Sequence, residues 1–183
     1  KLATIGQSGY QHQIKLPSQP KGVDSTSAGL AVVACVNEVV VLKDGHIVYN
    51  QKVDYEPQCV AISPSQSEVA IGGGDRDMKI HVYTLSGNML HEKTTLSHNG
   101  AVTSLKYSRD GSKLTACDTY RKVLLYQMPD YTPMITTEWG YHTARVNSVA
   151  WSPDSQHIGI GALDTNVIVW SPGSKTNYTV VKG

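Results

Sequence analysis

An all-β chain built of repeated sheets is predicted here by three observations. β-Rich runs recur at a nearly constant interval, turn-forming residues separate them, and no stretch sustains a helical apolar period over about ten residues. Segments 59–64, 103–110 and 147–154 superpose on one another, and their serines Ser63, Ser108 and Ser152 stand 45 and 44 residues apart. Further along each copy comes a β-branched or apolar run ending in a large residue, at 80–83, 123–126 and 167–170, with an earlier member at 39–42. The end residues Leu42, Tyr83, Tyr126 and Trp170 are separated by 41, 43 and 44. Four short strands fit each interval, and four antiparallel strands in about forty-four residues make one blade of a β-propeller.

Taken in order, a spare extended piece at 11–16 is expected to be the outer strand of a preceding or ring-closing blade, within residues 1–16. Four blades follow at 17–54, 55–97, 98–141 and 142–183. Their outer strands are expected near 46–53, 89–95, 134–139 and 177–181. The last copy shows the other three most clearly, at 146–151, 157–161 and 166–170. Ser152-Pro153-Asp154-Ser155, Ala162-Leu163-Asp164-Thr165 and Ser171-Pro172-Gly173-Ser174 divide them. These are turn residues for separate reasons: Pro presets φ, Gly reaches positive φ, and Asp or Ser bonds its own backbone.

Composition narrows the function classes. The 183 residues are 40% hydrophobic and 17% charged, which suits folded domains and not a disordered chain. Sixteen Lys and Arg against fifteen Asp and Glu leave a formal charge of +1, so no excess of one sign favours nucleic acid or an anionic membrane as main partner. No apolar run approaches the roughly eighteen residues of a spanning helix. Cys35, Cys59 and Cys117 are odd in number and widely spaced among apolar neighbours, as expected for buried thiols of a reducing, cytoplasmic compartment.

The run Leu163-Asp164-Thr165-Asn166-Val167-Ile168-Val169-Trp170, with Asp six residues before a strand-ending Trp, resembles the signature of the WD-repeat propellers. In that family the turn Asp accepts hydrogen bonds from backbone and from a His of the preceding loop. His98 and His142, 44 apart, stand where the resemblance puts that His. Asp77 keeps the interval to Tyr83, whereas Asp118 lies eight residues before Tyr126. Gly73 and Ile160 stand where the family carries the Ser or Thr that completes a buried network. The resemblance therefore assigns structural blade-turn roles to Asp77, Asp118, Asp164, His98, His142 and Trp170.

Longer phrases narrow the likeness. Residues 55–73, Ala116-Cys117-Asp118, and 150–170 resemble the second propeller of the actin-interacting protein 1 family. Its members carry two seven-bladed propellers, cooperate with cofilin in disassembling actin filaments and cap barbed ends. The resemblance implies a scaffold that binds the actin filament and cofilin at the cytoplasmic actin cytoskeleton. A generic propeller scaffold with an unrelated partner is the alternative. No contact residue carries over by motif.

Enzymatic, metal and cofactor readings find no constellation. There is no G-x-S-x-G elbow, Walker loop, H-E-x-x-H or C-x-x-C pair. Gly72-Gly73-Gly74-Asp75-Arg76-Asp77 precedes a strand rather than a helix, so it reads as a tight turn and not a phosphate cradle. Protein binding is what remains, through loops on the face of the Asp turns. Arg76, Tyr120, Arg121 and Arg145 are the candidate partner-binding residues, with Tyr141 and Asp75 beside them, because Arg and Tyr combine large contact area with directional polar groups. Four blades alone would leave both end faces wet. Missing blades in a longer, seven-bladed protein, a second chain completing the ring, or closure as a four-bladed ring would each cover them, and the first is favoured.

Overall fold

The computed structural model describes residues 2–6, 9–135, 142–172 and 178–182. A two-stranded hairpin, β1 (Leu2–Gly6) and β2 (Gly9–Ile14), precedes four antiparallel sheets of four strands each. Sheet 1 holds β3 (Pro20–Ser25), β4 (Leu30–Cys35), β5 (Glu38–Lys43) and β6 (His46–Lys52). Sheet 2 holds β7 (Pro57–Ile62), β8 (Glu68–Gly73), β9 (Lys79–Ser86) and β10 (Met89–Ser97). Sheet 3 holds β11 (Val102–Tyr107), β12 (Lys113–Asp118), β13 (Val123–Gln127) and β14 (Thr132–Ile135). Sheet 4 holds β15 (Val146–Trp151), β16 (Ile158–Ala162), β17 (Asn166–Trp170) and β18 (Tyr178–Lys182). The all-β, four-sheet architecture expected from the period is present. Part of the outer strand expected at 134–139 and residue 177 of that at 177–181 lie outside the described residues.

The spare piece at 11–16 is half of a hairpin, since β2 pairs with β1 from Leu2↔Ile14 to Gly6↔Gly9. Among the described residues β18 pairs with β17, not with β2. Leu2 to Ile5 is too short and mixed a run to announce a strand, whereas pairing satisfies its backbone groups all the same.

The repeated serines explain the period. In each first hairpin the serine hydroxyl accepts the N–H five residues on: Glu68 N to Ser63 Oγ at 3.0 Å, Lys113 N to Ser108 Oγ at 2.9 Å and His157 N to Ser152 Oγ at 2.9 Å. The serine N–H in turn donates to the carbonyl of that same residue in all three copies. One hydroxyl thus closes each turn, as local side-chain bonds do where the backbone leaves a ladder.

The middle strands of sheets 1 to 3 are buried on both faces, which is why they read as continuous apolar runs; β6, β10 and β18 are largely exposed. The first strands β3, β7, β11 and β15 contact one another in sequence. Asp24 of β3 accepts from Ile62 N at 2.8 Å and pairs with Lys106 Nζ of β11 at 2.8 Å, so three sheets converge on one carboxylate. Cys59 Sγ and Thr103 Oγ1 reach the first carbonyl of the next inner strand, Val102 O at 3.5 Å and Val146 O at 2.7 Å. Apolar clusters fill each seam: Val39 and Val41 with Val60 and Ile71, Ile80 and Val82 with Leu105 and Leu114, Val123 and Leu125 with Val149 and Ile160. The sheets therefore stack radially, each sealing the flank of the one before it.

Candidate functional site: the face of the aspartate turns

Antiparallel alternation places the turn between second and third strands, and the loop between successive sheets, at the same end of the arc. That face gathers the turns near 36–37, 74–78, 118–122 and 163–165 and the described parts of the loops at 53–56, 98–101 and 142–145. All the candidate residues lie on it except Tyr141, which is outside the described residues, and Trp170. Trp170 closes β17, where it is buried in the seam between sheets 3 and 4.

Three carboxylates shape the face. Asp118 Oδ2 lies 2.8 Å from His98 Nδ1, and Asp118 Oδ1 accepts from Tyr120 N at 2.8 Å and Lys122 N at 2.9 Å. Asp164 meets His142 Nδ1 at 3.0 Å and accepts from Thr143 N and Asn166 N. Burial pushes the Asp164 pKa up, but these donors outweigh it and hold the carboxyl below its ordinary value. Asp118 stands two places earlier in its turn than Asp164 and still captures the preceding-loop His. The interval to the strand end is thus not what the pairing requires.

Asp77 is partnered differently. Its Oδ2 lies 2.9 Å from His81 Nε2, on its own sheet's third strand, and His81 stacks on Tyr55 with ring centroids 3.7 Å apart. Tyr55 sits 43 residues before His98, in the loop position that carries His in the next two sheets. An aromatic has replaced the loop His, and His81 supplies the imidazole from below. The missing periodic His at 55 was the available sequence signal for this exchange. Gly73 is needed here, because a Cβ on it would come within 2.0 Å of Asp77 Oδ2.

A carboxylate holding one ring nitrogen of a His would orient a general base if the other nitrogen faced a nucleophile. Here His98 Nε2 and His142 Nε2 are buried and have no hydrogen-bond partner among the described residues. With Nδ1–H donated to the carboxylate, both imidazoles act as rigid props for the turns. The thiols are similarly quiet. Burial pushes Cys59 up to about 12 and raises Cys35 and Cys117 as well, the opposite of an activated thiolate. Among the described residues no group of three His, Cys, Asp or Glu is arranged to hold a metal. Among the described residues there is no helix long and apolar enough to cross a membrane.

The candidate partner-binding residues divide. Tyr120 and Arg121 form the tip of the sheet 3 turn, and Arg145 precedes β15, where its carbonyl accepts from Leu163 N at 2.9 Å. Arg76 instead lines a cavity of about 560 Å³ between sheets 1 and 2, with Asp54, Glu56, Asp75 and Asp77. A second cavity of about 510 Å³ opens at the opposite end of the inner strands, beside Asp24, Lys106 and Arg109.

Comparison with known proteins agrees with this architecture. The WD domain, G-beta repeat family matches residues 91–127 and 134–171. The chain is 40% identical over 183 residues to actin-interacting protein 1 of Drosophila melanogaster, covering 100% of this chain and 30% of the relative. It is 36% identical over 169 residues to actin-interacting protein 1 of Caenorhabditis elegans, covering 91% of this chain and 27% of the relative. The 66 kDa stress protein of Physarum polycephalum is 37% identical over 170 residues, at 92% and 28% coverage. This chain thus spans under a third of the length of these relatives. A solved structure of U3-55K superposes with a TM-score of 0.78 at 16% identity, over 93% of this chain and 54% of that one, a likeness of fold alone. The chain is a WD-repeat propeller arc that resembles actin-interacting protein 1 along its whole length.

Proposed function

We propose that this chain is part of an actin-binding interaction scaffold, working with cofilin in filament disassembly and barbed-end capping in the cytoplasm. The observation that carries the reading is the 40% identity, over 100% of this chain, to a protein named for its interaction with actin. The geometry supports a binding role over a chemical one. Turns braced by buried carboxylates present Tyr120, Arg121 and Arg145 on rigid supports, while the His–Asp pairs are closed to any substrate. Rigid anchors lose little conformational entropy on docking, which is how a modest patch gains affinity. No cofactor or metal enters this reading, and neither nucleic acid nor membrane is its partner.

Co-sedimentation of the intact protein with actin filaments, with and without cofilin, tests it. Pelleting that increases with cofilin, together with faster loss of filament mass, is expected. Absence of the protein from the pellet under both conditions, with filament mass unchanged, removes the actin reading and leaves a scaffold for another partner.

A further inference from the structure

The sheet 3 turn differs from its neighbours in a way that exposes a specific side chain. Asp164 lies six residues before Trp170, whereas Asp118 lies eight before Tyr126, so Tyr120 takes the place an aspartate holds in the next sheet. The Asp118 carboxylate clamps Tyr120 N and Lys122 N, and Arg121 between them is held at φ 70°. Met78 and Thr165, at the equivalent places in the turns of sheets 2 and 4, share this left-handed φ at 52° and 64°, so it is the geometry of the turn that points Arg121 outward. Tyr120 is 68% exposed yet lies against Gly100, where a Cβ would come within 2.4 Å of its ring. The ring is thus seated on backbone with its outer face to solvent.

Charge gives the face a direction. Among the described residues neither Arg121 nor Arg145 has an ion pair, and both are exposed. Arg145 leads into β15, which packs on β12, the strand whose end begins the Tyr120 turn. Toward sheets 1 and 2 the same face carries Asp54, Glu56, Asp75 and Arg76 around the cavity, with Glu56 paired to Lys21 at 3.5 Å. One half is aromatic and cationic; the other is anionic on balance, through the exposed Asp54 and Asp75.

We propose that Tyr120, Arg121 and Arg145 dock a carboxylate-rich segment of a protein partner, and that Asp54 and Asp75 repel the same segment and so fix its direction. The inference rests on this face being the interaction face. Arg forks pair with carboxylates in two-point geometry, and the seated tyrosine gives an apolar neighbour of the partner a flat platform. Like-charge juxtaposition on the other half suppresses the reversed pose.

The test is fluorescence anisotropy of a labelled Glu/Asp peptide with the intact protein, alongside a Lys/Gly peptide and phosphatidylserine vesicles. Saturable binding of the acidic peptide is expected, weakened about fivefold or more by Tyr120→Ala and by Arg121→Ala, as for hot-spot truncations. The pair Arg121→Glu with Arg145→Glu should abolish it. Asp54→Lys with Asp75→Lys should tighten it roughly threefold as repulsion is removed. All these positions are at the surface, and circular dichroism of each variant checks that the sheets persist. Failure of the acidic peptide to bind, binding indifferent to the double charge reversal, or tighter binding of vesicles than of peptide overturns the proposal. Filament sedimentation of the same variants separates the two readings. Peptide binding without filament binding overturns only the actin reading, and filament binding indifferent to the charge reversal overturns only this one.

Discussion

Sheets 3 and 4 carry the same strand pattern and meet different neighbours. On the forward face of sheet 3, Val123 and Leu125 are 2% and 1% exposed, packed against Val149, Trp151 and Ile160 of sheet 4. One repeat later, at the same register, Val167 and Val169 are 45% and 37% exposed. Their cross-strand partners on that face are Gly161 and Gly159, where sheet 3 has Cys117 and Thr115. At the other end of the arc, Ile14 and Leu16 cover Val33, Val40 and Leu42 of sheet 1. Strand sequence supplies an apolar face, but only a neighbour makes it core. The open face of sheet 4 has the chemistry that a further sheet covers three times elsewhere in this chain.

The sharpest break of that contrast is a buried charge. Leu125→Asp places a carboxylate in the closed seam without a partner and should cost the 183-residue chain about 4 kcal/mol in urea unfolding. Val169→Asp in the same chain should cost under about 1 kcal/mol, mostly lost strand preference. Equal penalties would mean that the two faces are not the closed and open versions of one position.

The turn carboxylates give the next largest effect. Asp118→Ala leaves the fully buried His98 Nδ1–H and the part-buried Tyr120 N–H and Lys122 N–H without their acceptor, for an expected loss of about 2–4 kcal/mol. Asp164→Ala also strips three donors, but Thr143 is exposed and water can replace part of the loss, so about 1–2 kcal/mol is expected. Thermal or urea midpoints of the two variants measure the difference, and a larger loss at Asp164 would contradict it.

A smaller, pH-dependent effect belongs to the first turn of sheet 3, beside the seam with sheet 4, where the Asp110 carboxylate accepts from Ser108 and Ser112. Asp110 N donates to Ser155 Oγ across sheets 3 and 4, and the Ser108 hydroxyl holds the Asp110 pKa at about 2. The folded value lies below the unfolded one, so this contribution is complete above about pH 4 and lost as pH falls through about 2. Asp110→Asn should flatten the fall of the thermal midpoint in that window. An unchanged slope would show that Asp110 does not contribute to it.

The spacing of Ser63, Ser108 and Ser152 made the sheets legible, because one hydroxyl closes each turn and a slip of one residue would lose it. The strand ends Tyr83, Tyr126 and Trp170 were legible for a similar reason, as large residues filling each seam. Less was legible in the turns. Asp118 reaches His98 from two places early, since a carboxylate can serve the same donors from either position. His81 could not be read from a loop motif, because it comes from within a strand. Leu2–Gly6 gave no strand signal, having a pairing partner but no periodic face. Which faces stay open depends on what lies beside them, which no residue of the strand itself encodes.

Radial convergence of the inner strands is tested most directly by a double-mutant cycle on Asp24 and Lys106, 82 residues apart in sequence and belonging to sheets that are not neighbours. Asp24→Asn, Lys106→Met and the double variant are compared by urea unfolding. Both side chains are partly exposed, so solvent reduces the pair to a coupling of about 0.5–1 kcal/mol. Coupling in that range is the expected result. Strict additivity, to within about 0.2 kcal/mol, would mean that the first strands of sheets 1 and 3 do not meet at a common axis.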